Sequence, residues 1–401
     1  MPMEWFEKII QRGVEHGYSD VHISGAHPVV ARKEGKIRFL KDIVFSHVQV
    51  DELVGRLLYD RQLKLLQKRL SVDFAMSIQN VRLRVNIFST IRGLSIAVRF
   101  LPGRIPDVED LNLHPSLHDF SKVNSGLVLF CGPTGCGKTT TIASLLNEFN
   151  NSRDLHIITL EDPIEYRFVS SRSFVQQREL GVHFPSFEQG LLDVLREDPD
   201  VVFVGEVRDP KTIRLTLNAA ESGHIVFASL HASNAEDALL RLCNSFSMEA
   251  QEFVRNQVAN SMKGVVTQHL QYIQDRGYRA PCLSILKNTN AVSNIIRENK
   301  FSQIENAIEM GRKEGMFSFD RYRTEFLDKK NKFVPPWQTF KPSEQIIPET
   351  PHVSPLLNPE IAFQEQEEGP LKSENVSGSD MDNDMDPEET EPYPTLDLSN
   401  L

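Results

Sequence analysis

The chain has 401 residues, a length that suits two or three domains, and a formal net charge of −11. It has no apolar run of about 18 residues, and its start, MPMEWFEKIIQRGVEHG, carries acidic side chains instead of an apolar signal core. We therefore expect a cytoplasmic protein. The 4 cysteines form no CxxC pair, which indicates reduced thiols and no zinc site.

The acidic excess lies at the carboxyl end. From Glu349 onward Lys372 is the only Lys or Arg among many Asp and Glu residues, so the preceding part is close to neutral. This end is rich in Pro, Ser and acidic residues and cannot bury enough apolar surface to offset chain entropy. We expect residues 341–401 to be a disordered acidic tail. The nearly neutral body lacks the charge of a nucleic-acid binder, and we expect no such partner.

The first 105 residues predict a small mixed domain. Its start has apolar residues at helical spacing: Trp5, Phe6, Ile9, Ile10 and Val14. SDVHIS and VRLRVNIF then alternate apolar and polar residues as half-buried strands do. The proline-rich stretch LPGRIPDVEDLNLHP predicts a linker, which we place at residues 106–122.

Residues 123–340 predict a second, larger domain of the α/β class. Strand-like runs (GLVLF, LHIITL, DVVFVGE, HIVFASL) alternate with helix-like ones (TTTIASLLNEF, TIRLTLNAAES). This alternation is typical of βα units on a mainly parallel sheet.

A glycine-rich loop opens this domain. GPTGCGKT matches the pattern GxxxxGK[ST] directly after the strand-like run at 127–130. Backbone N–H groups and a helix N-terminus hold phosphates in such loops, while the Lys contacts the β- and γ-phosphates and the Thr hydroxyl binds Mg²⁺. We expect ATP and Mg²⁺ as ligands. The predicted binding residues are Gly132, Pro133, Thr134, Gly135, Cys136, Gly137, Lys138, Thr139 and Thr140.

Acidic residues follow two of the predicted strands. Glu206 comes after the apolar run at 201–204, and Glu161 and Asp162 come after a run that ends at Leu160. Each alone could be a solvated charge at a strand end. Together they would meet the loop, because carboxyl ends of parallel strands share the ligand-binding edge of a sheet. The candidate Mg²⁺ ligands are Thr139, Glu161 and Glu206. Glu161 and Glu206 are also the candidate catalytic carboxylates, and a carboxylate that can activate water favours hydrolysis over binding alone.

Four segments in order resemble the motifs of one family. GPTGCGKTTT, LEDPIE, LREDPDVVFVGEVRD and AAESGHIVFASLH resemble the Walker A, Asp box, Walker B and His box of the secretion and type IV pilus motor ATPases. RVNIFSTIRG, AVSNIIREN and GMFSFDRY are most similar to the retraction ATPases of twitching motility. The resemblance implies a PAS-like N-terminal domain and a RecA-like P-loop ATPase domain. It also implies a homohexamer and, as partner, a platform protein of the pilus machine at the inner membrane.

The resemblance assigns roles to single residues. Glu206 matches the Walker B glutamate that activates water, and Glu161 matches the Asp-box acid near metal and phosphate. Two histidines and three N-terminal arginines are implied to contact the nucleotide, the arginines across domains or subunits: His224, His231, Arg84, Arg92 and Arg99. As a bare pattern, alternating arginines on a strand usually form a solvated face.

The sequence also departs from the family pattern. Cys136 and Cys131 stand where Ser and Thr are common, Ala232 replaces a Thr, and Ser293 replaces an Arg in a motif associated with retraction. An auxiliary retraction paralogue is therefore an alternative. An extension or type II secretion ATPase is another, although it usually carries a tetracysteine zinc insertion, and no zinc is expected here. A RecA-like nucleic-acid motor would need a basic, aromatic-rich channel.

Overall fold

The computed structural model describes residues 2–33, 36–79, 81–101 and 103–336. Most of the predicted ATPase domain and nearly all of the predicted N-terminal domain lie in these ranges. The predicted acidic tail lies outside them. No helix in the described ranges is both long enough and apolar enough to cross a membrane.

The amino-terminal part contains three helices and six strands within the described residues. In chain order they are α1 (Pro2–His16), β1 (Asp20–Ser24), β2 (His27–Lys33), β3 (Lys36–Phe45), α2 (His47–Leu57), α3 (Asp60–Arg69), β4 (Ser71–Ile78), β5 (Val81–Thr90) and β6 (Gly93–Phe100). The strands pair in the order β3-β2-β1-β6-β5-β4, and all neighbours are antiparallel. The finer expectation of a PAS-like fold stays a prediction.

Local sequence explains how this sheet is covered. A capping box formed by Ser46 and Gln49 starts α2, which satisfies backbone donors that a helix N-terminus leaves unpaired. Phe6 of α1 and Leu53 of α2 are fully buried in one core with the inward side chains of the sheet. On β5 the alternating arginines therefore lie on the opposite face from Leu83, Val85 and Ile87.

The segment predicted as a linker is packed against the second domain. Val108, Leu113 and Leu117 are almost completely buried in a core that also contains Tyr322. Its last part, Pro115–Lys122, forms a 3₁₀ helix. The backbone N–H of His114 donates a hydrogen bond of 2.9 Å to the Tyr322 hydroxyl oxygen. The segment therefore joins the domains in sequence but is not a free connection.

The second part contains eight helices and seven strands within the described residues. In chain order they are β7 (Gly126–Cys131), α4 (Lys138–Ser152), β8 (His156–Glu161), β9 (Phe174–Glu179), α5 (Phe187–Val194), β10 (Val201–Val204), α6 (Pro210–Glu221), β11 (Ile225–Leu230), α7 (Ala235–Asn244), α8 (Met248–Ser261), β12 (Met262–Ile273), β13 (Tyr278–Lys287), α9 (Asn290–Arg297), α10 (Ile304–Met310) and α11 (Phe319–Arg321). A π-helical turn, Tyr322–Leu327, continues from α11.

The seven strands form a mainly parallel sheet, as the alternating pattern predicts. Their order is β13-β12-β7-β11-β10-β8-β9, and among the described strands only β13 runs antiparallel to its neighbour. β7, β10 and β11 are buried along their whole length, because helices cover both faces. Their carboxyl ends lie at one edge of the sheet, which we call the phosphate edge, because the glycine loop begins there.

The His114–Tyr322 hydrogen bond can be tested by removing its acceptor. Tyr322→Phe leaves the ring in place but deprives the His114 N–H of its partner beside a fully buried side chain. We expect the free energy of unfolding to fall by about 1–3 kcal/mol, as measured by urea denaturation. Tyr272→Phe is the matched control, since Tyr272 is 53% exposed and should change stability by less than about 0.5 kcal/mol. Equal stability of Tyr322→Phe and the unsubstituted protein would contradict this account.

Candidate active site

The glycine loop joins β7 to α4 at the phosphate edge. Gly132 has φ +144° and Gly137 has φ +93°, conformations that favour glycine. A Cβ atom on Gly132 would lie 2.2 Å from the backbone oxygen of Gln268 in β12. Glycine is thus required for the loop to pass this close to the neighbouring strand. The loop then presents the N-terminus of α4, which is suited to bind an anion.

Lys138 lies across this loop. Its side chain is buried, and its Nζ donates to the carbonyl oxygens of Gly132 at 2.8 Å and Pro133 at 3.1 Å. The loop tip at Pro133, Thr134 and Gly135 is exposed. The ammonium group and the helix N-terminus therefore occupy the same small region, which is reached from solvent.

Cys136 has its thiol inside the loop. The side chain is 3% exposed, and burial raises the pKa of the thiol. A Cβ atom on Gly132 would lie 2.8 Å from the Cys136 sulfur, on the same side as the Gln268 backbone. Cys136 can therefore contact a phosphate only through its backbone. The Ser-to-Cys departure from the family pattern is accommodated within the protein interior.

Glu206 lies two residues beyond the end of β10, at the phosphate edge as predicted. Its carboxylate accepts a hydrogen bond from Arg208 and lies 3.2 Å from the His231 Nε2. Burial disfavours its ionised form, but the hydrogen bond and charge of Arg208, with further contributions from His231 and Lys138, lower its pKa overall. Glu206 is therefore an ionised carboxylate close to the positive charge of the glycine loop.

The two predicted histidines lie at opposite ends of β11. His231 follows the carboxyl end of β11 and contacts Glu206. His224 precedes β11, and its Nδ1 is 3.0 Å from the carbonyl oxygen of Ala219. The six residues of β11 put about 20 Å between the two positions. Within one chain His224 therefore lies at the end of β11 away from the glycine loop, and its contact with a nucleotide stays a prediction.

Glu161 ends β8 but is enclosed by other side chains. Its carboxylate accepts hydrogen bonds from the Thr159 hydroxyl at 2.7 Å and the Gln177 amide at 3.0 Å. Burial raises the pKa of Glu161 to about 7. These contacts tie β8 to β9. The structure therefore does not bring Glu161 into contact with Thr139, the residue with which it was predicted to bind metal.

Glu165 is the acidic residue of this segment that meets the loop. Burial raises its pKa, while the charge of Arg84 and a hydrogen bond with the Thr139 side chain oppose that rise. The Arg84 Nη1 lies 3.6 Å from its carboxylate. Sequence reasoning missed Glu165, although it is the second glutamate and the third acidic residue of the same LEDPIE segment. Its position four residues beyond the strand was the signal that it could face the loop.

Two of the three predicted arginines are neighbours: Arg84 and Arg99 lie opposite each other on β5 and β6, whereas Arg92 is separated from both. Arg84 is bound at 2.6 Å to Asp73 and also faces Glu165, so it lies beside the site in its own chain. Arg99 is bound to Asp20 at 2.9 Å, and its side chain is 63% exposed. Arg92 lies in the exposed β5–β6 turn, about 20 Å along the strand from Arg84.

Arg82 is a further arginine that sequence reasoning missed. It is 9% exposed, and its Nη2 donates to the Ile164 carbonyl oxygen at 3.0 Å. Burial lowers its pKa to about 10. The Ile164 N–H in turn donates to Glu179 at 3.1 Å. Arg82 thus links the amino-terminal sheet to the segment that carries Glu165.

The residues present fit a Mg²⁺ ion bound together with a nucleotide. Among the described residues, no group of three His, Cys, Asp or Glu side chains is arranged as a metal site. Mg²⁺ usually takes only one or two protein ligands and completes its shell with waters and phosphate oxygens. Thr139, Glu165 and Glu206 supply the oxygen donors that such a shared site requires.

Comparison with known proteins agrees with this geometry. Residues 3–314 match the family described as Type II/IV secretion system protein. The chain is 41% identical over 316 residues to YggR of Escherichia coli K12, covering 79% of this chain and 96% of YggR. It is 37% identical over 314 residues to the type IV pilus retraction ATPase PilT of Pseudomonas aeruginosa, covering 78% and 91%. A crystal structure of the pilus retraction motor PilT with bound ADP matches with a TM-score of 0.71 and 35% identity, covering 79% and 95%. The chain belongs to the type II/IV secretion system protein family.

Proposed function

We propose that this protein is a motor ATPase that couples ATP hydrolysis to the retraction of type IV pili. It works as a homohexamer at the cytoplasmic side of the inner membrane, where a platform protein of the pilus machine is its partner. One observation carries the proposal: the glycine loop and the ionised Glu206 share one edge of the sheet. The similarity to PilT of Pseudomonas aeruginosa supports retraction as the output.

Phosphate binding uses the backbone and one cation. Backbone N–H groups of residues 132–140 and the N-terminus of α4 hold the phosphates of ATP. Lys138 exchanges its two carbonyl partners for the β- and γ-phosphates, whose charge is the stronger attraction. Thr139 would hold Mg²⁺ through its hydroxyl oxygen, and the ion would neutralise phosphate charge.

Hydrolysis uses the carboxylate of Glu206. Because its pKa is lowered, Glu206 is ionised near neutral pH and can accept a proton from water. The water oxygen forms a bond to the γ-phosphorus, and the bond to the bridging oxygen of ADP breaks. His231 and Arg208 hold the carboxylate in position throughout.

We assign the Asp-box role at the loop to Glu165 and a supporting role to Glu161. Glu165 orients the Thr139 hydroxyl and is itself held by Arg84. Glu161 stabilises the junction of β8 and β9 through Thr159 and Gln177. Glu161 was predicted to bind the metal directly. In this proposal it acts only indirectly, by stabilising the strand junction.

The exposed arginines suit a site shared between subunits. Arg92 and the outer part of Arg99 face solvent, and Arg92 is far from the glycine loop of its own chain. Planar guanidinium groups bind phosphate oxygens with paired hydrogen bonds. In a ring, these arginines of one subunit contact the nucleotide held by the next.

An auxiliary retraction paralogue is the second candidate, and Ser293 favours it. The Ser293 hydroxyl donates to the Ala259 carbonyl oxygen and lies 3.0 Å from the Asn288 side-chain oxygen. It therefore fastens α9 to the end of α8, at the position where the family pattern has an Arg. This change in a motif associated with retraction is the observation that favours the auxiliary role.

The catalytic role of Glu206 predicts a separation of binding from turnover. Glu206→Gln keeps the size of the side chain but cannot accept the proton, so steady-state ATP turnover should fall by about 10²–10⁴ while nucleotide affinity is retained. Glu188→Gln is the matched control, since Glu188 lies on the surface of α5 in an ion pair with Lys211. Near-normal turnover in Glu206→Gln would remove Glu206 from the catalytic site.

The retraction output is tested in cells. A strain that lacks this protein should be immotile on surfaces and carry more pili than its parent, because pili still extend but are not withdrawn. Electron microscopy counts the pili and a surface-spreading assay measures motility. Bald cells would instead indicate an extension motor, whereas weak or conditional defects would indicate the auxiliary paralogue.

A further inference from the structure

Gln268 of β12 connects the glycine loop to the adjacent strand. It is 1% exposed, and its Nε2 donates to the Cys136 carbonyl oxygen at 2.6 Å. Its Oε1 accepts a hydrogen bond of 2.8 Å from the Thr141 hydroxyl in the first turn of α4. Both ends of the amide are therefore satisfied, one by the loop and one by the helix that follows it.

The contact with Cys136 controls a peptide plane. In a trans peptide the C=O of one residue and the N–H of the next point in opposite directions. When Gln268 holds the Cys136 carbonyl toward β12, the Gly137 N–H must point away from β12. That direction is toward the open side of the loop, where the N-terminus of α4 faces an anion.

Two features keep this arrangement fixed. The Cys136 carbonyl can only accept, so the Gln268 amide must present its NH₂ group, and Thr141 then donates to the remaining oxygen. The loop is also close enough to be held, since a Cβ atom on Gly137 would lie 2.9 Å from the Gln268 Nε2. With φ +93° at Gly137, an untethered peptide could rotate at little steric cost.

We propose that Gln268 is a positioning residue for phosphate binding, which fixes the Cys136–Gly137 peptide so that the Gly137 N–H faces the nucleotide phosphates. The inference rests on the proposed ATPase function and assigns a residue outside the four motifs to its binding step. Thr141 shares this role, because it fixes the orientation of the Gln268 amide.

The test removes the donor without adding charge. Methionine in Gln268→Met is similar in shape and equally uncharged, but it cannot donate a hydrogen bond to the Cys136 carbonyl, so the Kd for ADP should rise about tenfold. Hydrogen exchange in the free protein should become faster in the peptide that contains residues 132–141 and stay unchanged elsewhere. Thr267→Val is the control on the same strand, since the buried Thr267 hydroxyl has no hydrogen-bond partner in the described part of the chain.

A second pair of variants distinguishes loss of this contact from a general folding defect. Thr141→Val should also weaken ADP binding, and Thr141→Ser, which keeps the hydroxyl, should restore it. Provided that the unsubstituted protein binds ADP, an unchanged Kd in both Gln268→Met and Thr141→Val would overturn the inference. If the unsubstituted protein bound no ADP, the proposed function would fail first and this inference with it.

Discussion

The parallel register of β7, β11, β10 and β8 is the constraint on which the site depends. Each strand is buried on both faces, so apolar packing against the helices fixes its direction and register. Because the carboxyl ends then meet at one edge, the glycine loop, Glu206 and His231 come together from distant parts of the sequence. No one strand provides all of these groups: the loop after β7 carries Lys138, and the neighbouring strands carry Glu206 and His231.

A second link joins this edge to the amino-terminal sheet. Burying the Arg82 guanidinium is costly, and the cost is offset by its hydrogen bond to Ile164 and the nearby charge of Glu179. Arg84 reaches Glu165 from the same strand. A movement of the amino-terminal sheet would therefore displace the segment that orients Thr139. Arg82 and Arg84 therefore connect the amino-terminal sheet physically to the segment that carries Glu165.

The sequence was sufficient for features that depend on local pattern. The glycine loop, the apolar strands β7, β8, β10 and β11, and the family are confirmed. The sequence was insufficient where a contact depends on the direction of a side chain or on two residues that are far apart in the chain. Burial raises the pKa of both Glu161 and Glu165, and their partners distinguish them. Glu161 is held by Thr159 and Gln177, whereas Glu165 meets Arg84 and Thr139. Gln268 lies 127 residues from Thr141, so its contact with the loop has no local signal. The strands β9, β12 and β13 were missed because their patterns are mixed.

The structure of the assembled protein with ADP and Mg²⁺ is the most direct measurement of the central claim, that the phosphate edge is the catalytic site. We expect the β-phosphate to lie against the N–H groups of the glycine loop and Lys138, with Glu206 and His231 beyond it. An arginine of the neighbouring subunit, Arg92 or Arg99, should approach the same phosphates. A nucleotide at the opposite edge, near His224, or one with Glu206 turned away from it, would contradict the account.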